Sequence, residues 1–244
     1  MDGETVRRYY RDPVAVRHYA DAAARIGLWA SEEVVFTQVF DRNDTLLDCG
    51  CGAGRIALGL WELGYQKILG FDFSREMIEE ARRLSRLLDY GIPFRVADAT
   101  RLNFEDGIYD GAIFGFNGLM QIPWRANRRK AMIEIARVLK SGGLFVFTSH
   151  DRDLNRYREL WEEERALWDS GRQGDGLLEF GDRHAETPEG MVFIHIPRPA
   201  DVKEDLELTG FELLESHLRS EIASESEAVR AFSEECRFWI ARRI

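Results

Sequence analysis

The eight residues from Asp48 to Arg55, DCGCGAGR, put an acid at the end of an apolar run and then glycine at every second position: Gly50, Gly52 and Gly54. Glycine tolerates positive φ and has no side chain, so backbone there can lie directly against a ligand. A helix starting after such a turn offers unpaired N–H groups and a partial positive charge to an anionic group. Asp48 is placed to accept a hydrogen bond from a cationic amine, so a ligand with both an amino and a carboxylate group suits this loop. The dinucleotide fingerprint G-x-G-x-x-G would need glycine where the chain has Arg55, and no Gly-Lys-Ser/Thr phosphate loop is present. Two further acids follow: Asp72 in GFDFS, eighteen residues past Gly54, and Asp98 in VADAT. An acid after the second strand of a nucleotide-binding α/β fold accepts ribose hydroxyls, and one after the third can reach an adenine amino group. Each acid alone reads as a cap or a solvated turn. Three of them, ending three successive strands, point to a nucleoside.

The elements that must hold these residues follow from the hydrophobic pattern. TLLDCG (45–50), KILGFD (67–72), FRVAD (94–98), YDGAIFGF (109–116) and LFVFTSH (144–150) read as buried strands. Helical spacing lies between them: RIALGLWELG (55–64), a helix capped by Ser74 with the stripe Met77, Ala81, Leu84 and Leu88, and a helix over 126–140 with Met132, Ile135, Ala136 and Leu139 on one face. This alternation means right-handed βαβ units and a mostly parallel sheet covered by helices on both faces, an α/β fold. Residues 1–43 read as a helical cap bearing Tyr9, Tyr10, Tyr19, Trp29, Phe36 and Phe40. Residues 44–150 form the ligand-binding core, and 151–199 a lid made of a helix (152–170) and a hairpin (177–197). Residues 200–244 add a helix (200–209) and two strands, about 211–222 and 234–243. No linker separates these parts, so a single domain over 1–244 is expected.

In this order, LLDCGCGAGR, GFDFSREMIEEAR, FRVADATRLNF, YDGAIFGFNGLMQI and IARVLKSGGLFVFTSH resemble the segments of the class I S-adenosylmethionine-dependent methyltransferases. LTGFELLES and CRFWIARR resemble the sixth and seventh strands, the seventh antiparallel. The resemblance implies a Rossmann-like seven-stranded sheet and S-adenosyl-L-methionine as cofactor. It places Asp48, Gly50, Gly52 and Gly54 around the methionine part and Asp72 on the ribose. Phe73 and Met77 fall beside the adenine, Asp98 and Ala99 at its edge, Phe116 and Asn117 beneath the methionine, and Tyr19 on a leading helix over the cofactor. The Asn-Pro-Pro-Tyr run of adenine- and glutamine-directed enzymes is absent, and no paired-glutamate loop is visible. The implied function is methyl transfer to N or O of a small-molecule acceptor. The alternatives are an RNA or protein methyltransferase and a non-catalytic, cofactor-binding regulatory protein.

Composition narrows the partners. The 244 residues are 45% hydrophobic with a net charge of -10, and the acid excess runs through both halves. Such a chain repels a phosphate backbone, so nucleic acid is not expected. No apolar run approaches the roughly 20 residues of a membrane span, and MDGETVRRYYRD has no signal core, so a cytoplasmic monomer or homodimer is expected. Three cysteines make no disulfide framework, and the Cys49/Cys51 pair lacks further ligands for a metal. Both read as small residues in a tight loop, and Cys236 as buried in the last strand. RANRRK (125–130) and EEE (162–164) read as solvated helix faces.

Methyl transfer from a sulfonium needs alignment, and a hydroxyl acceptor usually needs a base. His18 and His217 read as structural or exposed. His150 lies at the carboxyl end of the fifth strand, where such folds do chemistry. A four-residue turn at TPEG (187–190), with Pro188 and Gly190 where a type I turn places them, fixes the hairpin register. Asp182 then faces His195 and His184 faces Phe193, all on one side. Arg183, Ala185, Val192 and Ile194 take the other, more apolar side, which is expected to pack inward. Asp182 would orient His195 and raise its basicity. His195, with His150, is thus the candidate to contact the acceptor or take its proton.

Overall fold

A computed structural model describes residues 6, 8–187 and 190–244. Helices α1 (Pro13–Arg25) and α2 (Ala30–Val39) precede the first strand, and Asp12 caps α1 by accepting from the Val14 amide at 2.8 Å. Strands and helices then alternate: β1 (Leu46–Cys49), α3 (Arg55–Glu62), β2 (Ile68–Asp72), α4 (Arg75–Leu87), β3 (Phe94–Val96), β4 (Tyr109–Phe114), α5 (Arg125–Val138) and β5 (Leu139–Ser149). Ser74 Oγ caps α4 by accepting from the Met77 amide, 3.2 Å. After β5 come α6 (Arg158–Asp169), the hairpin β6 (Asp182–Thr187) and β7 (Gly190–His195), α7 (Pro199–Leu208), β8 (Phe211–Leu218), α8 (Arg219–Ile222), α9 (Glu227–Phe232) and β9 (Arg237–Arg243).

The main sheet has seven strands in the order β3-β2-β1-β4-β5-β9-β8. The β1–β5 pairs are parallel, and β9 runs antiparallel to both neighbours. The order reverses between β1 and β4, and ligands of such sheets bind beyond the carboxyl ends of the strands at that point. Successive residues of β1 feed opposite layers, as the pleat requires. Leu46 joins Ile56, Ile113 and Val146 on one side. Leu47 joins Phe71, Phe145 and Phe147 on the other. A third, smaller core of Val6, Tyr9, Tyr10, Met77 and Phe193 fastens the N-terminal segment and the hairpin onto α4.

Several expectations are corrected. Leu139 begins β5 instead of ending α5. The strand placed at 211–222 stops at Leu218, where Glu221 accepts from the Leu218 amide at 2.7 Å and turns the chain into α8. Helix α9, capped by Ser226, occupies what read as a connection, and Cys236 is buried just ahead of β9. The hairpin register is as derived, with Asp182 opposite His195 and His184 opposite Phe193. The turn residues Pro188 and Glu189 lie outside the described residues. The inward face is the reverse of the expected one. Asp182, Phe193 and His195 are buried, while Arg183, Ala185, Val192 and Ile194 are half-buried. Phe193, the largest side chain of the hairpin, selects that face by packing on Tyr9, Tyr10 and Met77. Its polar neighbours can follow because they are hydrogen-bonded to each other.

Candidate functional site

A cavity of about 340 Å³ opens beyond the ends of β1, β2 and β4. The glycine loop forms one side, with φ of 60°, 52° and 90° at Gly50, Gly52 and Gly54. The three glycines do different work. A Cβ on Gly50 would lie 2.5 Å from the Phe114 ring, and one on Gly54 2.9 Å from the Phe94 ring. Those two let the loop and α3 pack on the protein, and Gly54, expected against a ligand, is not part of the lining. A Cβ on Gly52 would meet nothing within 4 Å, so Gly52 faces the open space.

All three strand-end acids line this cavity. Asp48 is buried, and its Oδ2 accepts from the Ala57 amide at 3.1 Å. Asp72 ties the loop to α4, accepting from the Gly52 amide at 3.0 Å and the Ser74 amide at 2.8 Å. Burial pushes Asp48 up to about 8 and Asp72 to about 6, because neither has a cation of its own. The nearest guanidinium, Arg55, is held bidentate by Glu32 at 2.5 and 2.6 Å. Asp98 accepts from the Thr100 amide (2.9 Å) and hydroxyl (2.7 Å) beside Ala99. Tyr19, Phe73, Met77 and Phe116 also line the cavity.

Asn117, expected beneath the ligand, is not in the lining. Its amide donates to Thr148 Oγ1 at 2.8 Å, and its buried Oδ1 has no partner. His150 sits behind it. His150 Nδ1 faces the Glu235 carbonyl at 2.9 Å and so carries the proton, leaving Nε2 to accept from the Asn117 side-chain N–H at 3.3 Å. Burial lowers the His150 pKa, so the ring is neutral. His195 and Asp182 are paired at 2.8 Å, but neither lines the cavity. Docking through Phe193 sets strand β7 against the short helix Gly118–Gln121. None of the three residues expected to be catalytic lines this cavity.

Other residues were not anticipated. Phe232 of α9 reaches the cavity and stacks on Phe116, with ring centroids 5.0 Å apart. Tyr10 is buried in the lining and donates its hydroxyl to Gln121 Oε1. RANRRK is not a solvated face: Arg128 is buried on Glu179, and Arg125 and Arg129 share Asp205. Glu164 of EEE pairs with Arg183 at 3.0 Å. These pairings link distant segments and leave no mark in local spacing, although Arg55 at a helix start, where a cation opposes the dipole, is one visible oddity.

Residues 46–143 match the family profile described as a methyltransferase domain. The chain is 30% identical over 147 residues to the methyltransferase GfsG of Streptomyces halstedii, covering 57% of this chain and 51% of that protein. It is 35% identical over 120 residues to a demethylmenaquinone methyltransferase of Leptospira interrogans, covering 48% and 45%. The chain thus spans about half the length of the curated relatives it matches. A SAM-dependent methyltransferase structure from Methanosarcina mazei has a TM-score of 0.68 at 22% identity, covering 89% of this chain and 99% of that one, a likeness of fold. Residues 46–143 are thus similar to the methyltransferase-domain family, and the chain shares the fold of a SAM-dependent methyltransferase structure. Among the described residues no helix is long and apolar enough to cross a membrane.

Proposed function

We propose that this protein transfers the methyl group of S-adenosyl-L-methionine to N or O of a small-molecule acceptor. The observation that carries this reading is the open space at Gly52, flanked by the buried, cation-free carboxyls of Asp48 and Asp72. That donor set fits the cofactor: Asp48 suits its ammonium group, Asp72 its ribose hydroxyls and Asp98 its adenine amino group. Phe73 and Met77 supply apolar contact for the purine, and Tyr19 and Phe116 enclose the methionine end. When bound, the cofactor would supply an electrophilic sulfonium methyl: a bond from the acceptor nitrogen or oxygen to the methyl carbon would form as the carbon–sulfur bond breaks, a neutral thioether would leave, and the acceptor's proton would pass to solvent.

The chain's own residues align the partners and exclude water. Tyr10, Tyr19, Phe116 and Phe232 wall one part of the cavity with rings, and Arg55 is neutralised by Glu32. Such a wall favours a small, uncharged, ring-bearing acceptor over a polyanion. The segments 1–43 and 151–199 serve as its cover, within one methyltransferase domain over 1–244. His150 acts through Asn117, holding the loop after β4, rather than as a base.

The test is incubation with methyl-labelled S-adenosylmethionine and a metabolite extract. Label in a small organic product is the expected result. Cofactor binding with no transfer to any fraction would favour the regulatory alternative, and absence of binding would overturn the reading.

A further inference from the structure

We propose that Glu179, set in place by the Asp182–His195 pair, is a positioning residue for the cavity wall formed by Gln121, Ile122, Pro123 and Asn127. This rests on the reading of the cavity as the cofactor and acceptor site. The wall is poorly determined by its own sequence. Trp124 has φ 72° and ψ 124°, a conformation that strains a bulky L residue. Trp124 also stands at the N-cap of α5 and makes no side-chain cap. The first turn of α5 holds no acid, while Arg125, Arg128 and Arg129 crowd the positive end of the helix.

Glu179 supplies what is missing from 54 residues away. Its Oε1 accepts from the Arg125 amide at 2.8 Å, directly after the strained residue. Its Oε2 accepts from Arg128 Nη2 at 2.5 Å, and Arg128 Nη1 donates to the Ile122 carbonyl at 3.2 Å, just before that residue. One carboxylate thereby grips both flanks of Trp124. Glu179 is itself fixed from behind. Asp182 Oδ2 accepts from the Leu178 and Glu179 amides at 3.1 and 2.9 Å, and Asp182 Oδ1 is held by His195 Nδ1 at 2.8 Å. The chain of contact runs from imidazole to carboxylate, to the 178–179 turn, to Glu179, and so to the wall. The far end of the wall is tied by Gln121 to Tyr10. Glu179, Asp182 and His195 also cluster closely enough to suit a cation, but the Arg128 guanidinium already fills that role.

The arrangement makes seating of the insertion a condition for a formed cavity. Because Ile122 and Pro123 line the cavity and are not placed at a reacting atom, loosening them should weaken ground state and transition state alike, raising KM with kcat nearly unchanged. The decisive measurement is amide hydrogen exchange over residues 121–128, paired with calorimetric binding of S-adenosylhomocysteine. Glu179→Ala should speed exchange at Arg125 at least tenfold and weaken binding three- to tenfold, with exchange in β1 and β4 unchanged. Glu179→Gln, which keeps an acceptor for the Arg125 amide but loses the one for Arg128, should recover part of both. His195→Ala should shift the same segment by a smaller, twofold or greater, amount, and it serves if Glu179→Ala does not fold. Unchanged exchange at 121–128, a rise spread evenly over the sheet, or no recovery in Glu179→Gln would overturn the proposal. If the parent fails to bind S-adenosylhomocysteine, the reading of the cavity fails, while the exchange result still decides the brace.

Discussion

The glycine loop and the wall opposite it border one cavity but are built by different means. The loop is stitched by bonds spanning 2 to 20 residues: Asp48 to the Ala57 amide, Asp72 to the Gly52 and Ser74 amides. The wall depends on partners 51 to 111 residues away, namely Glu179 for Arg125 and Arg128, and Tyr10 for Gln121. The loop's geometry follows from which residues are glycine, serine or aspartate, whereas the wall's follows from how the cap and the insertion dock. Damage to the loop should therefore abolish cofactor binding, and damage to the wall should only tune it.

The largest effect expected lies where the end of the glycine loop is tied to α2 by a buried charge pair. Arg55→Met leaves Glu32 as a buried, unpaired carboxylate, a loss of about 3–5 kcal/mol in stability. Denaturant unfolding checks this, and Glu32→Gln in the same chain should restore much of the loss. Next is Gly52→Val, which puts a branched side chain into the open space at φ 52°. Cofactor affinity should fall at least about a hundredfold, roughly 2.7 kcal/mol or more, with the circular dichroism spectrum retained. A fall as large in a wall variant would break the contrast between the regions.

Asp48 sharpens it through pH. Burial holds its carboxyl at about 8, so the free protein carries a proton there that a cationic ligand must displace. Affinity for S-adenosylmethionine should rise as pH climbs from about 6 to 8 and then level, and Asp48→Asn should flatten that rise. The linkage sign gives a second readout. The folded state keeps this proton while the unfolded chain loses it near pH 4, so Asp48 removes stability between about pH 4 and 8. Asp48→Asn should melt about ten degrees or more above the parent at pH 8 and equal to it below pH 4. The smallest effect is Tyr9→Phe, which deletes the 3.2 Å bond to Thr187 Oγ1 at the junction of cap and hairpin. About 1 kcal/mol or less should be lost, with cofactor affinity within about threefold.

How far the sequence speaks follows the same division. The strands β1 to β5, the Ser74 cap and the acids at three strand ends were legible because each is written in neighbouring residues. The hairpin register was legible too, since period-two alternation and one turn determine it. Its orientation was not. Counting apolar residues favoured the Val192–Ile194 face, but one large ring, Phe193, with a satisfied Asp182–His195 pair, went inward. The partners of Arg128, Glu179, Tyr10 and Phe232 were not legible for a common reason: a basic run, a lone glutamate or an aromatic on a short helix means nothing until its distant partner is placed. Helix α9 was hidden because only a Ser226 cap and six residues define it.

The central claim is that the space at Gly52, between Asp48 and Asp72, holds S-adenosyl-L-methionine. Isothermal titration of the parent and of Gly52→Val with S-adenosylmethionine tests it most directly. The account predicts one site per chain in the parent and none in Gly52→Val. No binding to the parent, or equal binding to both proteins, would contradict it.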